Sequence, residues 1–359
     1  MERVGVGVIG CGVISAAYLT AARHFPVIDL RAVADLDPAA AAARGAEFGI
    51  PAVTIPELLA DPSVEIVLNL TVPKAHAAVS LQAIEAGKHV QSEKPLGISL
   101  AEAARIVAAA EARGLRVGCA PDTFLGGAHQ EARRLIDAGA IGTPVGGTAF
   151  FLCPGHERWH PAPAFYYQAG GGPVLDMGPY YITDLVNLLG PVAEVAAMVS
   201  TPRAERVVTS EPLRGTAIPV DVPTHAAATL RFVSGAVVQV SLSFDVWAHR
   251  HVPLEIYGTT GSLIVPDPNW FGGEMRLFEA DGAWREVEHH RRYADDNYRI
   301  IGVADMARAI REDRPHRASG ALALHVLEVM EAFARSSDAR RVVEIATRPQ
   351  RPAPLEEAL

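Results

Sequence analysis

Gly10, Gly12 and Ser15 stand in the spacing of a phosphate-cradling turn, Gly10-Cys11-Gly12-Val13-Ile14-Ser15, between an apolar run at Val4 to Ile9 and a helical pattern. The chemistry of such a turn is recognition of a diphosphate. The first glycine allows a tight bend, the second lets the backbone approach the ligand, and the free amides from Val13 and Ile14 onward meet its charge. Ser15 occupies the usual place of a third glycine and is small enough for close helix packing. Asp35 ends the next strand pattern, Leu30 to Ala34, where a carboxylate accepts hydrogen bonds from the adenosine ribose and repels a 2'-phosphate. This constellation predicts NAD in preference to NADP.

A second constellation is Glu93-Lys94-Pro95, just after the strand pattern His89 to Ser92. That places Lys94 at the carboxyl edge of a parallel sheet, where open α/β folds bind ligands. Further on, His156, Trp159, His160, Phe165, Tyr166 and Tyr167 crowd a Pro-rich loop. An aromatic wall with a few polar groups suits a polyhydroxylated ligand; ordinary hydrophobic cover is the competing reading. Asp245, Trp247 and His249 alternate at a strand end, and their role stays open. There is no H-E-x-x-H and no C-x-x-C, and His156 and His160 are hemmed in by Pro154-Gly155 and Pro161, so no metal site is expected.

The elements that must position these residues alternate between strand and helix over roughly the first 120 positions. Strands at 4–9, 30–34, 64–70, 89–92 and 116–120 and helices at 12–23, 38–48, 74–86 and 99–114 predict a Rossmann-type, doubly wound parallel sheet. Asp37 with Pro38 starts one helix and Gly49 ends it, while Ser99 with Glu102 forms a capping box for another. Beyond Pro121 the pattern changes to helix, strand, aromatic loop and helix, then strands at 192–199, 225–232, 237–244, 254–257 and 262–265, and finally helices at 303–311 and 321–335. That reads as an α+β domain with a large, mostly antiparallel open sheet. The expected division is 1–121, 122–347 and a loosely held Pro-rich tail, 348–359.

The chain has 359 residues, 49% hydrophobic and 20% charged, with a formal net charge of -9. Ample core and negative charge argue against disorder, nucleic-acid binding and anionic membranes. The start Met1-Glu2-Arg3-Val4 has no export pattern, no apolar run reaches the ~20 residues of a membrane span, and three unpaired-looking cysteines suit a reducing compartment. A cytoplasmic protein is the expectation.

The motifs Asn69-Leu70-Thr71-Val72-Pro73 with His76, and Ala86-Gly87-Lys88-His89-Val90-Gln91-Ser92-Glu93-Lys94-Pro95, resemble the cofactor half of the glucose-fructose oxidoreductase, inositol dehydrogenase and rhizopine catabolism (Gfo/Idh/MocA) family. The resemblance extends to Gly170-Gly171-Gly172-Pro173-Val174-Leu175-Asp176-Met177-Gly178-Pro179-Tyr180 and to Glu255-Ile256-Tyr257-Gly258-Thr259-Thr260-Gly261-Ser262. It implies an NAD-dependent oxidoreductase of sugars or polyols. Lys94 would help transfer the hydroxyl proton, Glu93 would lie near the nicotinamide ribose, Thr71 and His76 would line the cofactor, and Asp176 would orient a substrate hydroxyl. Asp122 and Thr123 fall where the family often has an Asn and a basic residue, so Asp122 is expected to bind a hydroxyl.

Hydride leaves a carbinol carbon only as its hydroxyl loses a proton, so the site needs a base and a stabiliser of alkoxide charge; a lysine supplies both. Two positions depart from the family's D-x-G-x-H-x-x-D. Tyr180 fills the His slot and Thr183 the last Asp slot. A phenol beside a lysine cation can exchange protons, so Tyr180 is expected to replace His as the partner of Lys94, with simple packing as its alternative. Asp184, one position late, is second choice. Asp176 and Tyr180 share a helix face if the helix begins near Asp176. The same resemblance admits redox-assisted glycoside cleavage and, less readily, a non-catalytic NAD-binding regulator. The late sheet is expected to make a homodimer or homotetramer.

Overall fold

The computed structural model describes residues 2–280 and 282–359. They form two compact units, one reaching to Gly126 and including Arg292–Leu324 and Pro352–Leu359, the other comprising Gly127–Arg291 and His325–Arg351. The sequence reading ends its first domain at 121 in a single stretch; the unit takes back two later segments.

In the first unit, β1 (Val4–Ile9), β2 (Ile28–Ala34), β3 (Ile66–Asn69), β4 (His89–Ser92) and β5 (Val117–Cys119) make a sheet in the order β2-β1-β3-β4-β5. All four pairings are parallel. Every residue of β1 and β3 is buried, which is why β1 and the first three residues of β3 read as apolar runs. The intervening helices are α1 (Val13–Ala21), α2 (Pro38–Phe48), α3 (Ile55–Ala60), α4 (Pro73–Glu85) and α5 (Leu100–Glu111). Asp37 accepts from the Ala39 amide at the start of α2, and Gly49 closes that helix at φ 66°. Helix α3 escapes sequence reading because six residues show no periodicity, although Thr54 and Glu57 cap it reciprocally. The box expected at α5 is one-sided: Ser99 accepts from the Glu102 amide, but the Glu102 carboxylate turns to the amide of Ile98 at 3.0 Å.

The second unit opens with α6 (Gly127–Asp137), β6 (Pro144–Leu152) and α7 (Gly172–Leu189). There follow β7 (Val192–Ser200), β8 (Glu205–Val207), β9 (Ala217–Pro219), β10 (His225–Phe232), β11 (Val237–Ser243), β12 (Leu254–Gly258), β13 (Gly261–Val265), β14 (Arg276–Glu279) and β15 (Arg285–Glu286). Helices α8 (Ile301–Glu312) and α9 (Gly320–Ala339) precede β16 (Val343–Glu344). Nine of these strands pair in the order β15-β14-β13-β12-β6-β11-β10-β7-β16, while β8 and β9 form a separate hairpin. Only β6 and β11 run parallel among the described pairings of that sheet. Strand β10 buries alternate residues, so one sheet face is covered and the other open. The strands missed in the sequence, β8, β9 and β14 to β16, are short and mostly carry charged residues, too brief for an alternation to register.

Two expectations are corrected. Helix α7 begins at Gly172, a turn before Asp176, with Pro173 in its first turn and Pro179 inside it; Asp176 is an interior position. The tail is not loose. Arg351 donates to the carbonyls of Asn187 and Leu188 and to Asp137 at 2.6–2.7 Å. Arg317 donates to those of Ala353 and Pro354, and Leu355 and Leu359 are buried. A tail arginine holds two carbonyls of α7, and Arg317 holds two carbonyls of the tail itself. No helix among the described residues is long and apolar enough to cross a membrane.

Candidate active site

Parallel pairing sets the carboxyl ends of β1 to β5 along one edge, and the expected cofactor residues follow those ends. Gly10 sits at φ 107°, and a Cβ there would lie 2.5 Å from the carbonyl carbon of Leu70 and 2.8 Å from the amide of Thr71. At Gly12 an added Cβ meets nothing within 4 Å, so the space over the turn is open. No side chain caps α1, no acid lies in its first turn, and Val13 is 95% exposed. Ser15 is fully buried and its hydroxyl donates to the Gly12 carbonyl at 2.6 Å. This cradle fits a dinucleotide diphosphate. Asp35 braces it, accepting from the amide of Cys11 at 2.7 Å and that of Asp37 at 2.9 Å.

Around Lys94 the backbone is pinned by buried polar side chains. Glu93 accepts from the Tyr18 hydroxyl at 2.7 Å and from the Lys94 amide at 2.8 Å. Burial, reinforced by the Glu93 charge, pushes the Tyr18 phenol well above its ordinary pKa, so it stays a donor. Asn69 accepts from the amide and hydroxyl of Thr71 and donates to the His76 carbonyl and Ser80. His76, expected to line the cofactor, is 1% exposed. Its ring nitrogens face the carbonyls of Pro95 at 2.6 Å and Thr71 at 2.9 Å. It ties two loops together and presents no polar atom outward.

Asp122 is likewise not an open hydroxyl-binding group. It is 2% exposed, and its Oδ2 accepts from the amides of Ile300 at 3.2 Å and Gly302 at 2.9 Å. It caps α8, where Ile300 is held at φ 96°. Burial pushes its pKa up to about 6 against the opposing bond from Gly302. Thr123 is buried in a short turn of helix beside it.

In the second unit the aromatic loop separates into two parts. Tyr167 is core, packed with Val208, Ile218 and Phe244. Trp159 and Phe165 are exposed, while His160 and Tyr166 are half-buried. His156 links the parts: its Nε2 lies 3.1 Å from Asp176 Oδ2, its Nδ1 accepts from the Trp159 indole at 3.1 Å, and its amide donates to the Tyr167 hydroxyl at 3.0 Å. Behind the loop, the Tyr167 hydroxyl donates to Glu157, and Arg206 of β8 bridges Glu157 at 3.1 Å and Asp245 at 2.5 Å. The Ser210 hydroxyl fixes the His160 carbonyl at 2.6 Å. Asp245 therefore belongs to the loop's support, whereas Trp247 is exposed with the Arg158 guanidinium 4.7 Å above its ring, and His249 stacks on His251.

Asp176 and Tyr180 lie on successive turns of α7, the first half-buried and the second 7% exposed. Thr183 and Asp184 face inward, at 4% and 0% exposure. Asp184, the second choice for substrate, is taken: it pairs with His129 Nδ1 at 2.9 Å and accepts from Asn187, while His129 Nε2 faces the Trp270 carbonyl at 2.8 Å. Burial alone would lower the His129 pKa, but the Asp184 charge and these hydrogen bonds outweigh it and hold it above the usual value. Among the described residues no cluster of His, Cys, Asp and Glu could hold a metal ion. Sequence reading missed Tyr18, Asn69, His129, Glu157 and Arg206. Only Asn69 carried a signal, inside a motif already singled out.

Residues 4–120 match the sequence model of the oxidoreductase family NAD-binding Rossmann fold, and residues 129–264 match that of the GFO/IDH/MocA C-terminal domain. The 1,5-anhydro-D-fructose reductase of Ensifer adhaerens is 29% identical over 265 residues, covering 72% of this chain and 74% of its own length. The levoglucosan dehydrogenase of Pseudarthrobacter phenanthrenivorans is 28% identical over 291 residues, covering 74% of each. A solved levoglucosan dehydrogenase in complex with NADH and L-sorbose is similar with a TM-score of 0.85 at 25% identity, over 97% of this chain and all of that one. With both family models matched and the glycine cradle and Asp35 in place, the chain belongs to the Gfo/Idh/MocA family of NAD-binding oxidoreductases.

Proposed function

We propose that the protein is a dehydrogenase or ketoreductase acting on a secondary alcohol or ketone of a sugar, cyclitol or simple glycoside. The observation carrying this reading is that the glycine cradle, Asp35 and Lys94 all follow carboxyl ends of one parallel sheet, the edge where such folds place ligand. Bound NAD supplies the hydride acceptor, or NADH the donor. Gly10, Gly12, Val13 and Ile14 hold its diphosphate, Asp35 its adenosine ribose, and Thr71 and Glu93 the nicotinamide side. The Lys94 amino group takes the hydroxyl proton on oxidation and returns it on reduction, and as ammonium it stabilises alkoxide charge. In the second unit Asp176 orients a substrate hydroxyl, Tyr180 exchanges a proton through its phenol, and Trp159, His160 and Tyr166 offer ring faces and polar tips to sugar.

His76, Asp122 and Thr123 act in this reading as braces rather than ligands. The relatives' names support the substrate class: one is a 1,5-anhydro-D-fructose reductase and the other a levoglucosan dehydrogenase. The open face of the nine-stranded sheet, with Met198 80% exposed, suits a second copy and gives a dimer or tetramer. The free cysteines suit the cytoplasm.

The test is a panel of sugars, inositols and glycosides read by NADH absorbance, with Lys94→Ala alongside. Turnover on a ring polyol that falls at least ~10²-fold in Lys94→Ala supports the reading. Normal NAD binding with no turnover on any member, or a fully active Lys94→Ala, refutes it.

A further inference from the structure

An indole N–H can donate a hydrogen bond and cannot accept one. The Trp159 indole nitrogen lies 3.1 Å from His156 Nδ1, so Nδ1 is the acceptor and bears no proton. The proton of the neutral ring is then on Nε2, 3.1 Å from Asp176 Oδ2, an atom that receives it as a carboxylate. Rotating the ring by half a turn would set carbon atoms against both partners. The ring is also confined, with Tyr166 edge-on at 4.4 Å and Phe244 tilted at 4.5 Å between centroids. His156 is 8% exposed, and its own amide is tied to Tyr167.

We propose that Trp159 and His156 are positioning residues that fix the tautomer facing Asp176 and so orient its carboxylate as an acceptor for one substrate hydroxyl. This rests on the role assigned to Asp176 above. Its logic is that of any acid–imidazole pair in which one ring nitrogen's partner decides what the other presents. Trp159 thereby has a job besides offering a ring face to sugar: its N–H, pointing inward, writes the protonation pattern of the histidine. The site then favours a donor hydroxyl at that position over a methyl ether.

The experiment is nitrogen-15 NMR of the full-length, histidine-labelled protein with NADH bound, the His156 signals being assigned by their loss in His156→Gln. The expected result is an unprotonated Nδ1 and a protonated Nε2, with the Nδ1 signal moving towards the protonated range in Trp159→Phe, which keeps the ring and removes the donor. His156→Gln retains an N–H donor for Asp176 and is expected within about threefold of wild-type kcat, whereas His156→Phe loses roughly tenfold or more; NADH affinity is unchanged in all three. A protonated Nδ1 in the wild type overturns the proposal, as does a tautomer indifferent to Trp159→Phe. Equal damage from His156→Gln and His156→Phe overturns it too, since it would make His156 a proton carrier. Failure of every sugar to turn over would sink the functional reading while leaving the NMR result to decide this one.

Discussion

The cofactor end and the substrate loop are held by different kinds of contact. Around Lys94, most of these contacts run from side chain to backbone: Asp35 holds the Cys11 amide, Asn69 the Thr71 amide and Glu93 the Lys94 amide, and the His76 ring lies between two carbonyls. Around His156, side chains grip side chains: Trp159 to His156 to Asp176, and Tyr167 to Glu157 to Arg206 to Asp245. Backbone anchors fix where the chain runs whatever side chains line it. Side-chain chains fix one particular pocket, and a change in any member is passed on. The first end is built to keep its shape, while in the second the side chains depend on one another.

The contrast is broken most severely at Arg206. Its side chain is 1% exposed between Glu157 and Asp245, which are 7% and 11% exposed. Arg206→Met would remove the cation shared by both carboxylates, at a cost of about 3–5 kcal/mol by analogy with other broken buried pairs. Thermal unfolding is expected to show that loss with NADH affinity retained; an unchanged melting temperature would mean the loop does not need its support.

Next in size is Tyr180→Phe, expected to lower kcat at least ~10²-fold if the phenol exchanges a proton. Near-normal turnover would reduce Tyr180 to a packing residue and leave Lys94 as the sole proton carrier.

At the cofactor end the largest stability effect should depend on pH. Asp122 has its folded pKa raised to about 6 from 3.8. The folded chain therefore binds the proton more tightly, so stability is gained as pH falls through about 6 and is lost as pH rises between those values. Asp122→Asn keeps an acceptor for the Ile300 and Gly302 amides without titrating. Relative to that variant, the wild type should lose up to about 1.4 kcal/mol per pH unit across this window. Parallel unfolding curves from pH 4 to 6 would show the carboxyl to be unperturbed.

Asp35→Ser should have the smallest effect, roughly tenfold on the ratio of NAD to NADP affinity, since the amide of Cys11 loses an acceptor but the glycine turn remains. Binding titrations with both cofactors decide it, and an unchanged ratio would deprive Asp35 of its selective role.

What the sequence disclosed follows the same division. The placement of Gly10, Gly12, Asp35 and Lys94 at the carboxyl edge of the sheet was legible because each sits on a strand-turn-helix path, a local pattern. The Arg206 network was not, because its members stand dozens of residues apart and none is unusual alone. Asp122 and His76 stood out in the sequence, but their contacts to the backbone did not. Their polarity was visible, but whether a buried polar group faces a ligand or its own backbone depends on packing. The tail was misjudged for a similar reason: proline-rich composition says that no sheet or helix forms, and nothing about arginines elsewhere waiting for its carbonyls.

One hydrogen bond, from the Tyr18 phenol to Glu93, joins the helix that opens at the glycine turn to the residue just before Lys94. Under the proposed roles, grip on the diphosphate and aim of the amine would be mechanically linked through this hydroxyl. A change that shifts the start of α1 by a fraction of an ångström would surface as altered turnover as well as altered cofactor affinity, and redesign of one would have to budget for the other.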